Sequence, residues 1–145
     1  PLYQAFFNKY IAWSELTQSL HQLAKEIERE QQRPVTLVTL DRYNLASELS
    51  FYQTKAKNQR KIDKIYPLIG SHLFHEESLM YRYWTKKEDA SDKTLILVSP
   101  DLFLLEMPAV KTSIVEKTPI RMIVAQDQGG VLGKRVYYYQ VVRLK

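Results

Sequence analysis

The sequence predicts an α/β fold: a three-layer arrangement in which helices flank a mostly parallel sheet, with a C-terminal antiparallel β-hairpin. Helix-like and strand-like segments alternate through the first two-thirds of the 145 residues. Two short apolar runs, VTLVTL at 35–40 and TLILV at 94–98, have the length and β-branched content of buried strands. Three of the four glycines lie at 129–133, between two strand-like segments. Together these observations favour one α/β domain.

The first helix is predicted to begin at Ser14, a suitable N-cap residue, and to end before Pro34. Its apolar positions recur every three or four residues and form one stripe. They are Leu16, Leu20, Leu23, Ala24 and Ile27. Large apolar side chains also crowd residues 1–13. This crowding is typical either of a segment packed on the core or of a stretch close to a membrane.

The run at 35–40 is the first expected strand, and Asp41 directly after it is suited to cap a second helix at 43–52. Leu45, Leu49 and Tyr52 share one face of that helix. Residues 53–64 are polar and basic, and we expect a loop whose end enters a strand near 62–66. The mixed segment 71–84 is expected to be helical at 76–83, and a charged loop follows at 88–93.

The second expected strand, at 94–98, ends at Ser99-Pro100-Asp101, and a helical turn is expected at 102–107. Strands are further predicted at 113–116, 120–126 and 135–144, the last two joined as a hairpin. The glycine-rich residues 129–134 lack the spacing of a phosphate-binding loop and precede a strand, so they predict a hairpin turn.

Composition limits the class of protein. Apolar residues make up 45% of the chain and charged residues 26%, which is typical of a folded domain. The absence of cysteine excludes disulfides, thiolate nucleophiles and cysteine-ligated zinc. A formal charge of +5 suits phosphate, anionic lipid or nucleic acid as partners, or solubility alone.

No run approaches the ~20 apolar residues of a membrane span. The chain opens with Pro1 rather than Met. We therefore expect residues 1–145 to form one soluble domain that belongs to a longer protein.

Four polar residues follow the two expected strands: Asp41, Arg42, Ser99 and Asp101. Ligands of open α/β sheets bind outside the carboxyl ends of the strands, which makes these residues the best candidates for a ligand site. Helix capping by Asp41 and turn formation by Ser99-Pro100-Asp101 explain the same residues without a ligand.

Two other groups suggest binding. The basic residues of 55–64 could contact the phosphates of anionic lipid or of nucleic acid, although no nucleic-acid-binding motif accompanies them. His72, His75 and Glu76 could approach one another on a helical turn. Without a further ligand set they do not predict a metal site, and we assign no metal.

The segment DRYNLASELSFY at 41–52 resembles the C-terminal region of bacterial membrane glycosyltransferases. These are the dolichyl-phosphate-mannose-protein mannosyltransferase-like proteins of the GT-C type, related to the aminoarabinose transferases of lipid A. Trp13-Ser14-Glu15-Leu16 resembles the start of a preceding helix in that region, and 71–84 resembles a later aromatic segment. The resemblance covers residues 12 to 100, and the lysine-rich 55–60 departs from it.

The resemblance implies an inner-membrane enzyme that transfers a sugar from a polyprenyl-phosphate donor to a protein or lipid acceptor. This chain would be its non-catalytic domain on the periplasmic side, aiding acceptor recognition or stability. Its partners would be the membrane-embedded part of the same chain and a lipid-linked sugar or acceptor. The family's catalytic acidic residues lie in the membrane part, so the resemblance assigns no catalytic residue and no cofactor here.

Glu48 lies within this motif. It could pair with Arg42 or the basic segment, or it could contact a substrate. Two other functions stay open: a free-standing small-molecule enzyme or binder that uses the strand ends, and a basic nucleic-acid-binding module.

Overall fold

The computed structural model describes residues 12–41, 45–70, 90, 92–127 and 133–144. The expected features at 1–11, at 71–84, at Arg42 and at the glycine-rich turn of 129–132 lie outside these residues. So do Glu88, Asp89 and Ser91 of the expected charged loop.

Helix α1 spans Trp13–Gln31 and buries the predicted apolar stripe. Leu16, Leu20 and Ala24 are almost fully buried on it. Its N-cap is Ala12, with φ of 73° and no side-chain cap, so the prediction of Ser14 as the cap was wrong. Ser14 lies inside the first turn because the helix begins one residue earlier, at Trp13. The helix ends at Gln31, and its C-cap is Gln32, which has φ of 54° and lies two residues before Pro34.

Strand β1 spans Val35–Thr39 and is buried throughout, as predicted. Helix α2 spans Leu45–Asn58, so it continues six residues beyond the predicted end at Tyr52. The basic segment is therefore partly helical, because Gln53 and Ala56 extend the buried face of the helix. No strand forms at 62–66. Strand β2 is Leu68–Ile69, just after Pro67, whose carbonyl accepts the Leu37 N–H at 2.9 Å.

The last third agrees closely with its predicted strands. Strand β3 spans Thr94–Ser99, and the expected helical turn is α3, Leu102–Leu105. Helix α4, Pro108–Ser113, was not predicted. It begins at Pro108, a residue that the sequence pattern treated only as a break but that also suits a first helical position. Strands β4, β5 and β6 span Ile114–Lys117, Arg121–Asp127 and Gly133–Leu144.

These strands form one mixed sheet in the order β2-β1-β3-β6-β4, with β5 also paired to β6. Strand β1 is parallel to β2 and β3, whereas β6 is antiparallel to β3, β4 and β5. The α/β class is confirmed, the last two strands pair antiparallel as predicted, and the sheet is mixed rather than mostly parallel. The long β6 explains the difference, because one edge pairs with β3 and the other with β5 and then β4.

Alternate residues of the strands enter two separate cores on opposite faces of the sheet. One core contains the buried faces of α1 and α2 together with Val35, Leu37, Ile96, Val98 and Tyr137. The other contains Leu105 of α3 and Val110 of α4 together with Val38, Leu95, Leu97 and Val142.

The β5–β6 hairpin extends beyond the second core. Ala125 and Tyr137 face α1 and are buried, whereas Met122, Val124 and Val136 on the opposite face are exposed. A carboxylate oxygen of Glu15 on α1 accepts the backbone N–H of Gln126 at 2.8 Å, which ties the hairpin to the helix.

Candidate functional site

The ends of β1 and β3 meet at one edge of the sheet, as expected for parallel strands. The Ser99 hydroxyl donates to the Leu40 carbonyl oxygen at 2.7 Å and accepts the Asp101 N–H at 3.0 Å. Ser99 is fully buried, so its hydroxyl joins the two strand ends and shapes the turn. Asp101 is exposed just beyond it.

Asp41 is half-buried at the same edge. Its Oδ2 accepts the Leu45 N–H at 2.8 Å, at the first residue of α2. A carboxylate at this position satisfies a helix N–H that has no partner within the helix, and its charge suits the positive end of the helix dipole. The capping role predicted for Asp41 is confirmed. Arg42, its neighbour in the predicted ligand site, lies outside the described residues.

Glu48 is half-buried in the first turn of α2. Partial burial raises the pKa of its carboxyl, because the charged form loses solvation. Within the described part of the chain no cation lies within salt-bridge distance of it. The expected ion pair with the basic segment is therefore not formed. The reason is the extra length of α2, which carries the lysines to the opposite end of the helix.

Aromatic side chains lie beside this edge. The Trp13 ring meets Tyr52 edge-on, with centroids 6.1 Å apart. Tyr137 is buried, and burial is the main cause that raises the pKa of its hydroxyl. The Arg135 guanidinium lies 5.4 Å from the Tyr137 ring centre and opposes that shift. Tyr52 of the motif thus contacts the first residue of α1.

A second region is a surface cleft of about 540 Å³ between α1 and the C-terminal end of α2, which we call the basic cleft. Four cationic side chains and one carboxylate line it, together with a histidine. These residues are His21, Lys25, Lys57, Arg60, Lys61 and Asp63.

Asp63 organises one wall of the basic cleft. Its two carboxylate oxygens contact His21 Nε2 at 2.8 Å and Lys25 Nζ at 3.0 Å. Its backbone carbonyl accepts a hydrogen bond from Lys57 Nζ at 2.8 Å. The hydrogen bond from Lys25 is the largest cause that lowers the pKa of Asp63. The carboxylate therefore stays ionised and holds Lys25 and His21 in place.

Arg60 lies at the turn that ends α2, with φ of 58°. Its N–H donates to the Lys57 carbonyl at 3.1 Å, and the Lys61 N–H donates to the Ala56 carbonyl at 2.9 Å. This pair of bonds is the Schellman pattern, in which the left-handed residue is usually glycine. An arginine there places a guanidinium at the basic cleft at a cost in backbone energy.

Tyr66 packs against His21 of the basic cleft and is almost fully buried. The buried Gln53 amide bonds both backbone groups of Tyr66: Oε1 accepts its N–H at 2.9 Å, and Nε2 donates to its carbonyl at 3.1 Å. The Tyr66 ring contacts His21 on one side, at 5.6 Å between centroids, and Lys64 Nζ lies 4.5 Å from its centre. Burial raises the pKa of the Tyr66 hydroxyl.

No group of three metal-ligating side chains comes together among the described residues. His72, His75 and Glu76 lie outside them. In the same part of the chain, no helix combines the length and apolar character that a membrane crossing requires.

No protein-family model, curated protein or solved structure matches the chain.

The structure thus brings Asp41, Ser99 and Asp101 to one edge, with Glu48 on the adjoining helix. It gives Asp41 and Ser99 hydrogen bonds within the fold. Sequence reasoning identified the basic segment 55–64 but missed the contribution of α1, from His21 and Lys25. The one available signal was that His21 and Lys25 lie four residues apart, on one face of a predicted helix.

Proposed function

We propose that this chain is a non-catalytic accessory domain of an integral-membrane glycosyltransferase, on the periplasmic side of the bacterial inner membrane. The parent enzyme would move a sugar from a polyprenyl-phosphate donor to a protein or lipid acceptor. The resemblance of residues 41–52 to that family motivates the proposal. A structural role for the motif agrees with it, because Asp41 caps α2 and Leu45, Ala46 and Leu49 are buried.

The exposed face of the β5–β6 hairpin is the observation that carries the proposal. Met122, Val124 and Val136 are 64%, 45% and 38% exposed, and they lie together because Val124 pairs with Val136. Grouped apolar side chains on a surface usually mark an interaction site. We propose that this face contacts the membrane-embedded part of the same chain. A three-layer arrangement of the domain is also proposed, supported by helices that contribute to both cores.

The coding sequence upstream of Pro1 tests the proposal directly. We expect about a dozen hydrophobic segments of ~20 residues each, with acidic residues in the first external loop. A start codon immediately before Pro1 would contradict the proposal. Turnover of a polyprenyl-phosphate sugar by the 145-residue chain alone would also contradict it.

The docking face has its own test in the full-length protein. Val124→Asp places a charge in the proposed contact and should lower sugar transfer at least about tenfold, because an unpaired carboxylate would be buried there. Val115→Asp is the matched control, since Val115 is 58% exposed on β4, which pairs with residues 142–144 of β6 rather than with the part of β6 that holds Val136. Equal transfer by both variants, in equal amounts of folded protein, would exclude this face as the contact.

A further inference from the structure

We propose that the basic cleft between α1 and the end of α2 binds a phosphate group. This inference does not rest on the proposed function, because binding is a property of the 145-residue chain and is measured on it directly. The basic cleft lies at the far end of α2 from Asp41 and Glu48, so it is a site separate from the strand ends.

Charge is the first argument. Four cations and one carboxylate give the basic cleft a formal charge of +3 with His21 neutral. Asp63 already accepts from His21 and Lys25. Among the described residues, no carboxylate lies within 4.0 Å of Arg60 or Lys61. Clustered like charges repel one another, and a bound dianion would remove that repulsion.

Size and chemistry select the ligand. The basic cleft is open to solvent, and its volume of about 540 Å³ is large enough to admit a phosphate group. Lysine amines bind phosphate as point charges, and an arginine can bind two of its oxygens at once. Single-stranded nucleic acid also needs exposed aromatic rings for stacking. The aromatic ring that contacts His21 of the basic cleft, Tyr66, is almost fully buried and cannot stack on a base. These features favour a phosphate monoester or diphosphate over an oligonucleotide.

The backbone at Arg60 is an independent observation. Its left-handed conformation is one that glycine adopts at no steric cost, yet a long cationic side chain occupies it. Residues in sparsely populated backbone conformations cluster at functional sites, ligand-binding sites among them. At this turn the only groups that an arginine adds are its guanidinium and stem, and these line the basic cleft.

The test is calorimetric titration of the chain with inorganic phosphate and with pyrophosphate at low ionic strength. We expect saturable binding that weakens as salt is added. Arg60→Gly should weaken binding about fivefold or more while the fold is kept, because glycine suits the turn. Lys61→Gln should weaken binding by a similar factor. Lys111→Gln removes an exposed lysine on α4 and should leave the affinity unchanged.

The source of the phosphate is distinguished with phosphatidylcholine vesicles that do or do not contain phosphatidic acid. Binding to the phosphatidic acid vesicles that free pyrophosphate displaces would indicate a lipid headgroup. Binding of free phosphate without vesicle binding would indicate a soluble ligand. The proposal is overturned if neither probe binds, if Arg60→Gly and Lys61→Gln bind as tightly as the unaltered chain, or if an oligonucleotide binds more tightly than pyrophosphate does.

Discussion

Arg60 and Gln32 are two residues in the same unusual conformation, at the ends of the two long helices. Both have positive φ, of 58° and 54°, and neither is glycine. For a residue with a Cβ atom this conformation costs about 1 kcal/mol relative to glycine. The cost at Gln32 is partly offset by a hydrogen bond from its Nε2 to the Arg29 carbonyl. At Arg60 the side chain instead lines the basic cleft.

Arg60→Gly should therefore raise the free energy of unfolding by about 1 kcal/mol. Gln32→Gly should raise it by less, because it also removes a side-chain hydrogen bond. Urea denaturation at neutral pH measures both changes. Loss of stability in Arg60→Gly would mean that the arginine side chain stabilises the fold itself. The left-handed conformation of Arg60 would then not be explained by ligand binding.

Glu48 gives a prediction that depends on pH. Burial raises the pKa of its carboxyl, so the folded state binds this proton more tightly than the unfolded chain does. The stability that the folded state gains from holding this proton is therefore fully present at pH values below the unfolded pKa of Glu48. It is lost as pH rises through the raised folded pKa. At neutral pH the ionised side chain lowers the free energy of unfolding.

Glu48→Gln removes this penalty and should stabilise the fold at pH 7 by roughly a few tenths of a kcal/mol. At about pH 3.5, where the glutamate is protonated, the two proteins should be equally stable. Chemical denaturation at both pH values measures the difference. Glu106→Gln, at an exposed position after α3, is the control for loss of a surface carboxylate and should change stability by less than about 0.5 kcal/mol. A destabilised Glu48→Gln at pH 7 would show that the carboxylate has a stabilising partner.

Helix α2 and the segment after it are held together by one buried side chain. Gln53 is 2% exposed and bonds the N–H and the carbonyl of Tyr66. These bonds fix the chain between Asp63 and Pro67, where it leads into β2. They also explain how a segment without regular structure can bury Tyr66, since its backbone polar groups find partners in an amide.

Gln53→Met keeps the volume of the side chain but leaves two buried backbone groups without partners. We expect the free energy of unfolding to fall by about 2 kcal/mol. Thr54→Met, at the next and exposed position of the helix, should change it by less than about 0.5 kcal/mol. Thermal and urea unfolding of both variants make the comparison. Similar stabilities would mean that water replaces the Gln53 amide.

The elements that could be predicted from the sequence are those whose residues determine them locally. The apolar periodicity of α1 and the unbroken β-branched runs of β1 and β3 are such signals. The end of α2 could not be predicted, because Gln53 and Lys57 are stabilised there by partners in 63–66. Strand β2 has two residues and exists through its pairing with β1.

The same distinction holds for the candidate sites. The capping by Asp41 is a local interaction and was predicted from its position after a strand. The basic cleft requires His21 and Lys25 to lie beside Asp63. Along the chain, His21 is 42 residues and Lys25 is 38 residues before Asp63. Only the packing of α1 against α2 brings them together, and no spacing pattern in a single sequence reports it.

At the scale of the whole molecule, β3 couples the two cores. Successive residues of this strand point to opposite faces, with Ile96 in one core and Leu97 in the other. Both are fully buried. The strand is hydrogen-bonded to β1 on one side and to β6 on the other, so neither core can open without disturbing the pairing that supports the other.

Ile96→Ala and Leu97→Ala should each lower the free energy of unfolding by about 2–5 kcal/mol. In each variant the transitions followed by far-UV circular dichroism and by tryptophan fluorescence should coincide, because the domain unfolds as one unit. Val124→Ala, at an exposed position, is the control and should have little effect. Separate transitions in either core variant would show that the two faces of the sheet unfold independently.

The bond between Glu15 and Gln126 has a consequence for self-association. On one side the sheet ends at β2, whose two residues offer almost no template for a further strand. On the other side lies β5, with seven residues paired only to β6 in the described part of the chain. A free edge of that length invites the addition of a strand from another molecule. Glu15 already accepts the Gln126 N–H, so this backbone group cannot bond an incoming strand, and the Glu15 carboxylate also obstructs the approach of that strand. The first turn of α1 thus disfavours edge-to-edge aggregation.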